Sequence, residues 1–372
     1  MSQMQGSTLR YLVVGLMFFV MYDLVDGGMA QAQVRRVSRE RFFYLAAPQN
    51  LNPGLREQPV EIEVEEEPTI APELELDQES ETPTVPLWKP ESVTVDFKDN
   101  VSNFGQDNQF IEPTVTGILP NGDRLSITSG LNQFQQPEIN SVQNIPFKLD
   151  WEGEIAGLAT SIGGGIDWFD EVPLALNFRA QTSVPIGKKA KLSFHIEHSP
   201  YKFNAETIQN EIKSWRYGPN LFWQISPDTT FFSLVRWGRY NDGNHEQQSF
   251  SRLEHTRGEF KVAANLFNWR YREDNESVSG YFSPLDFLVA NGEIVWEKDI
   301  FDWLSCRAAA SAGQQHSEGE WTFAYGYNGK CTTKVSDNVE WDLGYNFSNI
   351  PGEGGNSIFN DRTWSSQLRA KF

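Results

Sequence analysis

Five histidines and two cysteines are the side chains of this 372-residue chain that metal or thiol chemistry would need. The stretch His195-Ile196-Glu197-His198 offers two imidazoles and a carboxylate close together. On an extended strand, residues three apart lie on opposite faces, so these two histidines could not share a metal. His245, His255 and His316 add no ligand spacing supported by cysteines or carboxylates. No metal site and no cofactor is expected. The run Gly163-Gly164-Gly165 lacks the strand-to-helix context of a phosphate loop, and reads as relief of crowding or a bend in a wall. No Ser/His or Asp/His set suited to a lipase or protease can be assembled, so no catalytic residue and no enzymatic activity is expected.

Cys306 and Cys331 raise a question of register. If Glu318-Gly319 is a two-residue hairpin turn, Cys306 falls directly opposite Cys331, Ala310 opposite Tyr327 and Ala312 opposite Tyr325. In an oxidising compartment the two thiols could join across the strands, although that geometry is demanding. The alternative is a pair of inert thiols facing lipid.

The elements that would position these residues are strands. In Leu174–Val184 the even positions are Leu174, Leu176, Phe178, Ala180, Thr182 and Val184, against Ala175, Asn177, Arg179, Gln181 and Ser183. Ala190, Leu192, Phe194 and Ile196 likewise oppose Lys189, Lys191, Ser193, His195 and Glu197. Trp321, Phe323, Tyr325 and Tyr327, then Val339, Trp341, Leu343, Tyr345 and Phe347, repeat the pattern. No long amphipathic helix interrupts it, which excludes α/β enzymes. The last ten residues alternate as well: Trp364, Ser366, Leu368, Ala370 and Phe372 share one face.

Connections differ in length. Short turns are expected at Leu119–Gly122, Pro185–Gly187, Ser226–Asp228, His255–Gly258, Lys298–Ile300 and Ser336–Asn338. Longer polar loops are expected at Asn132–Ser141, Ser199–Asn210, Asn241–Glu246, Arg272–Ser283 and Ser348–Asn360. Short turns on one side and long loops on the other predict an all-β, antiparallel transmembrane barrel of about sixteen strands. An even count puts both termini on the periplasmic side.

Composition agrees. Mean hydropathy is low at −0.48, yet aromatics reach 13% with 12 tryptophans, as expected where only every second residue faces lipid. The net charge of −19 argues against a nucleic-acid partner. The apolar run Tyr11–Tyr22 is about half of a spanning helix. It follows Arg10 and precedes Ala30-Gln31-Ala32, so residues 1–32 read as a signal peptide. Residues 33–91 open with Arg35, Arg36, Arg39 and Arg41. From Glu57 to Pro90 the composition shifts: EQPVEIEVEEEPTIAPELELDQESETPTVP carries many Glu, several Pro and no Lys or Arg. This acidic stretch predicts a disordered periplasmic segment, either a solvated tether or a docking site for a basic periplasmic protein. Residues 92–372 are expected to form the barrel, in the outer membrane of a Gram-negative cell.

Function must then lie in the lumen and loops. A sixteen-strand barrel is wide enough for an aqueous channel. Alternation places Arg179, Gln181, Lys191, His195, Glu197, Lys261, Asn265, Glu293, Arg307, Asp342, Gln367 and Arg369 on the inner face. The mixed signs suit an uncharged or weakly charged polar solute rather than a strongly ion-selective pore.

Two stretches carry a family resemblance. SGYFSPLDFLVANGEIVWEKD, Ser279–Asp299, resembles the segment around the Tyr-Phe-Ser-Pro motif in the C-terminal barrel of the bacterial cellulose synthase outer-membrane porin family and of related exopolysaccharide-export porins. WRYGPNLFWQISPDTTFFSLVRWGRYNDGN, Trp215–Asn244, is similar to a second segment of those barrels. The resemblance implies a sixteen-strand barrel through which a polysaccharide leaves. It makes Tyr281 and Phe282, in Tyr281-Phe282-Ser283-Pro284, expected glycan contacts at the mouth, with Arg179, Lys191, Glu293 and Arg307 along the lumen. The C-terminal strand ending on Phe372 resembles the signature read by the barrel-assembly machinery. Residues 33–91 lack the 34-residue helical repeat that usually precedes such barrels. A separate synthase or scaffold protein, recruited by the acidic segment, would supply that part. A small-solute diffusion porin and a non-conducting anchoring barrel are the rival readings.

Overall fold

The computed structural model describes residues 88–350 and 360–372. The expected signal peptide, the arginine cluster and the acidic segment as far as residue 87 lie outside the described residues, as does much of the Ser348–Asn360 loop. Seventeen strand segments follow one another: β1 (Lys89–Ser102), β2 (Asp107–Ile118), β3 (Arg124–Ser129), β4 (Leu131–Gln136), β5 (Ile139–Ile155), β6 (Leu158–Phe169), β7 (Ala175–Ile186), β8 (Ala190–Pro200) and β9 (Lys213–Ser226). Then come β10 (Thr229–Tyr240), β11 (His245–Arg257), β12 (Phe260–Tyr271), β13 (Phe287–Phe301), β14 (Leu304–Ser317), β15 (Glu320–Lys334), β16 (Val339–Ser348) and β17 (Asp361–Lys371). Except for β3 and β4, which both pair with β2 and β5, each pairs antiparallel with its sequence neighbours, and β17 closes the sheet against β1 from Ser92↔Lys371 to Ser102↔Asp361.

The wall has sixteen strands because β3 and β4 are one strand interrupted at Gly130. Both halves keep the same register against β2 and against β5. A side chain at Gly130 would collide with the Ile111 carbonyl, so the break marks a close approach of two backbones. The barrel begins at Lys89, so Lys89, Pro90 and Glu91 belong to the wall rather than to the expected acidic segment.

Most of the connections fall where turn chemistry predicts. Glu318-Gly319 is a two-residue turn with both residues at positive φ, which gives the Cys306↔Cys331, Ala310↔Tyr327 and Ala312↔Tyr325 register. The two cysteine sulfurs are bonded, close to the turn between β13 and β14. Three expectations need correction. Asn241–Glu246 is not a longer loop but a four-residue turn, Asn241–Asn244, closed by the Tyr240 N–H donating to the Asn244 carbonyl at 3.0 Å. Asn132–Ser141 is not a long loop but a tight hairpin through Pro137-Glu138, with its polar side chains on β4 and the 17-residue β5. Lys298–Ile300 is not a turn: a bulge between Asp299 and Phe301 carries the irregularity, and the chain reverses at Asp302-Trp303. Connections at the end holding Lys89 and Lys371 have five residues at most, whereas Tyr201–Ile212 and Arg272–Asp286 lie at the other end.

The outer face is apolar and exposed, with Leu176, Phe194, Leu253, Val262, Leu266, Ile294 and Leu343 among its residues. Exposed aromatics mark both rims: Trp168, Trp215, Trp237, Trp321 and Trp364 at the long-loop end, and Trp223, Phe260, Phe301, Trp303 and Trp341 at the short-turn end. Such a band between aromatic girdles is what a barrel needs to lie in a bilayer.

Candidate functional site in the barrel lumen

Inward side chains form cross-strand polar clusters, and glycine makes room for two of them. Asp150 on β5, Gly163 on β6 and Arg179 on β7 stand side by side in register. Arg179 Nε donates to Asp150 Oδ1 at 2.7 Å over the bare Gly163, where a Cβ would overlap the carboxylate. Arg216, Gly238 and Glu246 repeat the device on β9, β10 and β11, with Arg216 Nε donating to Glu246 at 3.0 Å. Part of the Gly163–Gly165 run is thus relief of crowding.

The other expected lumenal residues also lie on this inner face. His195 Nε2 is 3.3 Å from Glu197, while His198 points the other way and stacks on Trp215. Lys261 bonds Glu297 at 3.1 Å, and Asn265 accepts from Arg252. Arg252 also holds Glu293, which lies 3.6 Å from Arg307. Asp342 takes Lys330 at 2.7 Å and Arg369 at 3.0 Å, and Gln367 donates to Asp96. Gln181 pairs in register with His195, and Lys191 sits near the short-turn end of β8, opposite Pro185 and Phe222. Among the described residues, no group of three or more His, Cys, Asp or Glu could hold a metal ion.

At the long-loop end two segments fold across part of the lumen. Beyond β8 the chain turns inward, burying Tyr201, Phe203 and Ile212. A short helix, Ala205–Gln209, is capped by Asn204: Thr207 N–H donates to Asn204 Oδ1 at 2.8 Å, and Asn204 N–H to Thr207 Oγ1 at 3.1 Å. Ala205 and Ile208 pack on Phe134, Val142, Phe169 and Ala175, inside β4–β7. Gln106 and Asn108 both donate to the Phe203 carbonyl at 2.9 Å. The Arg272–Asp286 loop folds in from β12 and β13 to meet this segment, Asn204 Nδ2 donating to the Gly280 carbonyl at 2.7 Å. Together the two loops reach from β12–β13 to β2.

Aromatic side chains fill the space beneath. Tyr201, Tyr240, Tyr271 and Tyr281 lie within ring-contact distance, with Tyr240 and Tyr281 stacked at 5.1 Å. They surround the buried Arg216–Glu246 pair, to which Trp269 Nε1 adds a hydrogen bond at 2.7 Å. Phe250, Phe267, Phe282, Phe287 and Val289 belong to the same cluster. Tyr281 and Phe282 are 0% and 4% exposed, so the expected glycan-stacking platform is the packed core of a loop.

Asp242, in the tight turn after β10, latches that loop. Its carboxylate accepts from Ser279 Oγ at 2.7 Å, Tyr281 OH at 2.8 Å, Asn275 Nδ2 at 3.1 Å and Asn244 N–H at 3.0 Å. Burial pushes its pKa up, but these donors outweigh burial and hold it below the usual carboxylate value. Burial, then the hydrogen bond to this carboxylate, raises the Tyr281 phenol well above its ordinary value.

Alternation alone misses these segments. A signal was present on β12, where the apolar positions move from Val262, Ala264 and Leu266, outside, to Phe267, Trp269 and Tyr271, inside. Apolar residues on both faces of a wide barrel's strand mean that something apolar covers the inner one.

No protein-family model matches the chain, and no curated protein sequence matches it. Among solved structures, the fold is similar to one described as a bacterial polysaccharide outer membrane secretin. The TM-score is 0.60 at 9% identity, over 76% of this chain and 98% of that one. OccK7 (OpdD) from Pseudomonas aeruginosa is similar at TM-score 0.43 and 8% identity, over 77% of this chain and 98% of its own. OccK5 (OpdH) from the same organism gives TM-score 0.43 and 9% identity, over 76% and 98%. None of these matches identifies the cellulose synthase porin family. With its closed wall and apolar girdled exterior, the chain has the fold of an outer-membrane β-barrel.

Proposed function

We propose that this protein is an outer-membrane porin that passes a polar exopolysaccharide outward, without chemistry of its own. The observation that carries the reading is the closed sixteen-strand wall, apolar outside and lined inside by cross-linked charges, amides and hydroxyls. A barrel of that width can enclose an aqueous channel. The similar fold of a polysaccharide outer membrane secretin supports the choice of cargo. The short-turn end and both termini face the periplasm, and the partly covered end faces outward. The acidic N-terminal segment recruits a periplasmic synthase or scaffold, and the C-terminal strand ending on Phe372 addresses the chain to the barrel-assembly machinery.

A small-solute diffusion channel is the second reading, favoured by the two loops folded into the lumen. Planar-bilayer recording of the purified full chain, with neutral oligosaccharides as blockers, separates the two. Occlusion by glycans of several residues supports polysaccharide passage. A steady pore indifferent to them favours the small-solute channel. A silent bilayer overturns both and leaves a non-conducting anchoring barrel.

A further inference from the structure

The lumenal charges are paired, but the partners are not equally exposed. In three lumenal ion pairs, one on β5–β7 and two on β13–β16, the carboxylate is set back and the cation is presented to solvent. The side chain of Arg179 is 56% exposed against 11% for Asp150, and Lys330 50% against 5% for Asp342. Arg307 is 38% exposed against 12% for Glu293. A short carboxylate lies close to the wall, while a long guanidinium or ammonium arm reaches past it, so a passing solute meets the arms first.

A second observation is independent of exposure. Arg307 and Lys330 stand directly opposite each other on β14 and β15. Like charges facing across a sheet cost stability. Glu293 and Asp342 offset that cost from the flanking strands without covering either head group. Arg369 on β17 shares Asp342 with Lys330, extending the cationic surface near the short-turn end.

We propose that the wall centred on Arg307 and Lys330, with Arg179 facing it from β7 on the opposite side of the barrel, recognises anionic groups on the solute. On the porin reading, on which this inference rests, the cargo is a glycan carrying carboxylates or comparable acidic substituents. The wall cations act as successive weak sites, each exchanging its set-back partner for a carboxylate of the passing chain.

The test is the reversal potential of the full chain in a potassium chloride gradient at low salt, where lumenal charges are least screened. It is paired with calorimetric binding of trigalacturonate and of neutral maltotriose. The expected result is chloride selectivity and salt-sensitive binding of trigalacturonate but not of maltotriose. Both should be lost in R307Q/K330Q and weakened in R179Q, with heat-modifiable gel mobility showing that the variants fold. A conducting pore that is unselective, cation-selective or unchanged by these substitutions overturns the anionic assignment and leaves passage standing. A silent bilayer with trigalacturonate binding intact refutes passage and supports the anionic site. Silence without binding refutes both.

Discussion

The inner wall from β9 to β13 and the inner wall from β14 to β17 are built by the same alternation, yet they are different environments. On the first, Phe250, Phe267, Trp269, Phe287 and Val289 are buried beneath the folded-in loops, and the Arg216–Glu246 pair is buried with them. On the second, Arg307, Lys330 and Arg369 remain partly solvated and the neighbours are small, such as Ser311, Gly326 and Gly344. One wall is a scaffold that holds the folded-in loops in place, and the other is the surface along which a solute could travel. Ion pairs therefore do different work on the two sides. In a buried site, removing one partner leaves an uncompensated charge, while in a solvated one water replaces it.

The sharpest way to break this contrast is to cut the same kind of bond on each side. Glu246→Ala should destabilise the barrel by about 4 kcal/mol, because Arg216 is left buried without its carboxylate. Unfolding in urea from lipid vesicles measures it, and a loss below about 1 kcal/mol would mean that the buried pair is hydrated after all. Phe267→Ala, which removes packing and no charge, should cost about 3 kcal/mol in the same assay. Asp242→Ala should cost about 1 kcal/mol while freeing Ser279, Tyr281 and Asn275, so its larger effect is on how often the loop opens. Lys330→Gln should change stability by less than about 1 kcal/mol, since that ion pair is half-solvated.

The latch also sets a pH expectation. A carboxylate held below its ordinary value contributes stability that is complete above about pH 4 and lost as pH falls through the depressed value. The Tyr281 phenol, raised above its ordinary value of about 10, stays neutral below that pH. Opening frequency should therefore be flat between about pH 5 and 9 and rise only in stronger acid. A step between about pH 5 and 7 would mean that another group holds the loop.

Much of the wall was legible because strand alternation has a period of two and turn residues fix register. Taking Glu318-Gly319 as a two-residue turn gave the Cys306↔Cys331 pairing, and alternation set Arg179, Glu293 and Arg307 on the inner face. The infolding of the loops was not legible. Tyr281 and Phe282 stood out as aromatics at the mouth, fit for glycan contact, for the interfacial girdle or for locking the loop, but whether a loop folds inward depends on what it meets. Here it meets Tyr240, Trp269 and Phe287, from three different strands. The unequal exposure of paired charges was hidden for a related reason. Sequence gives the sign of a side chain and its face, but not which partner stands in front.

The measurement that tests the central claim most directly is single-channel recording of the full wild-type chain beside Asp242→Ala. A polar passage partly covered by two latched loops predicts a conducting wild type with brief closures, and a variant with longer openings and unchanged ion selectivity. Silence from both proteins, with the variant folded, would contradict a passage and make the loops a permanent plug.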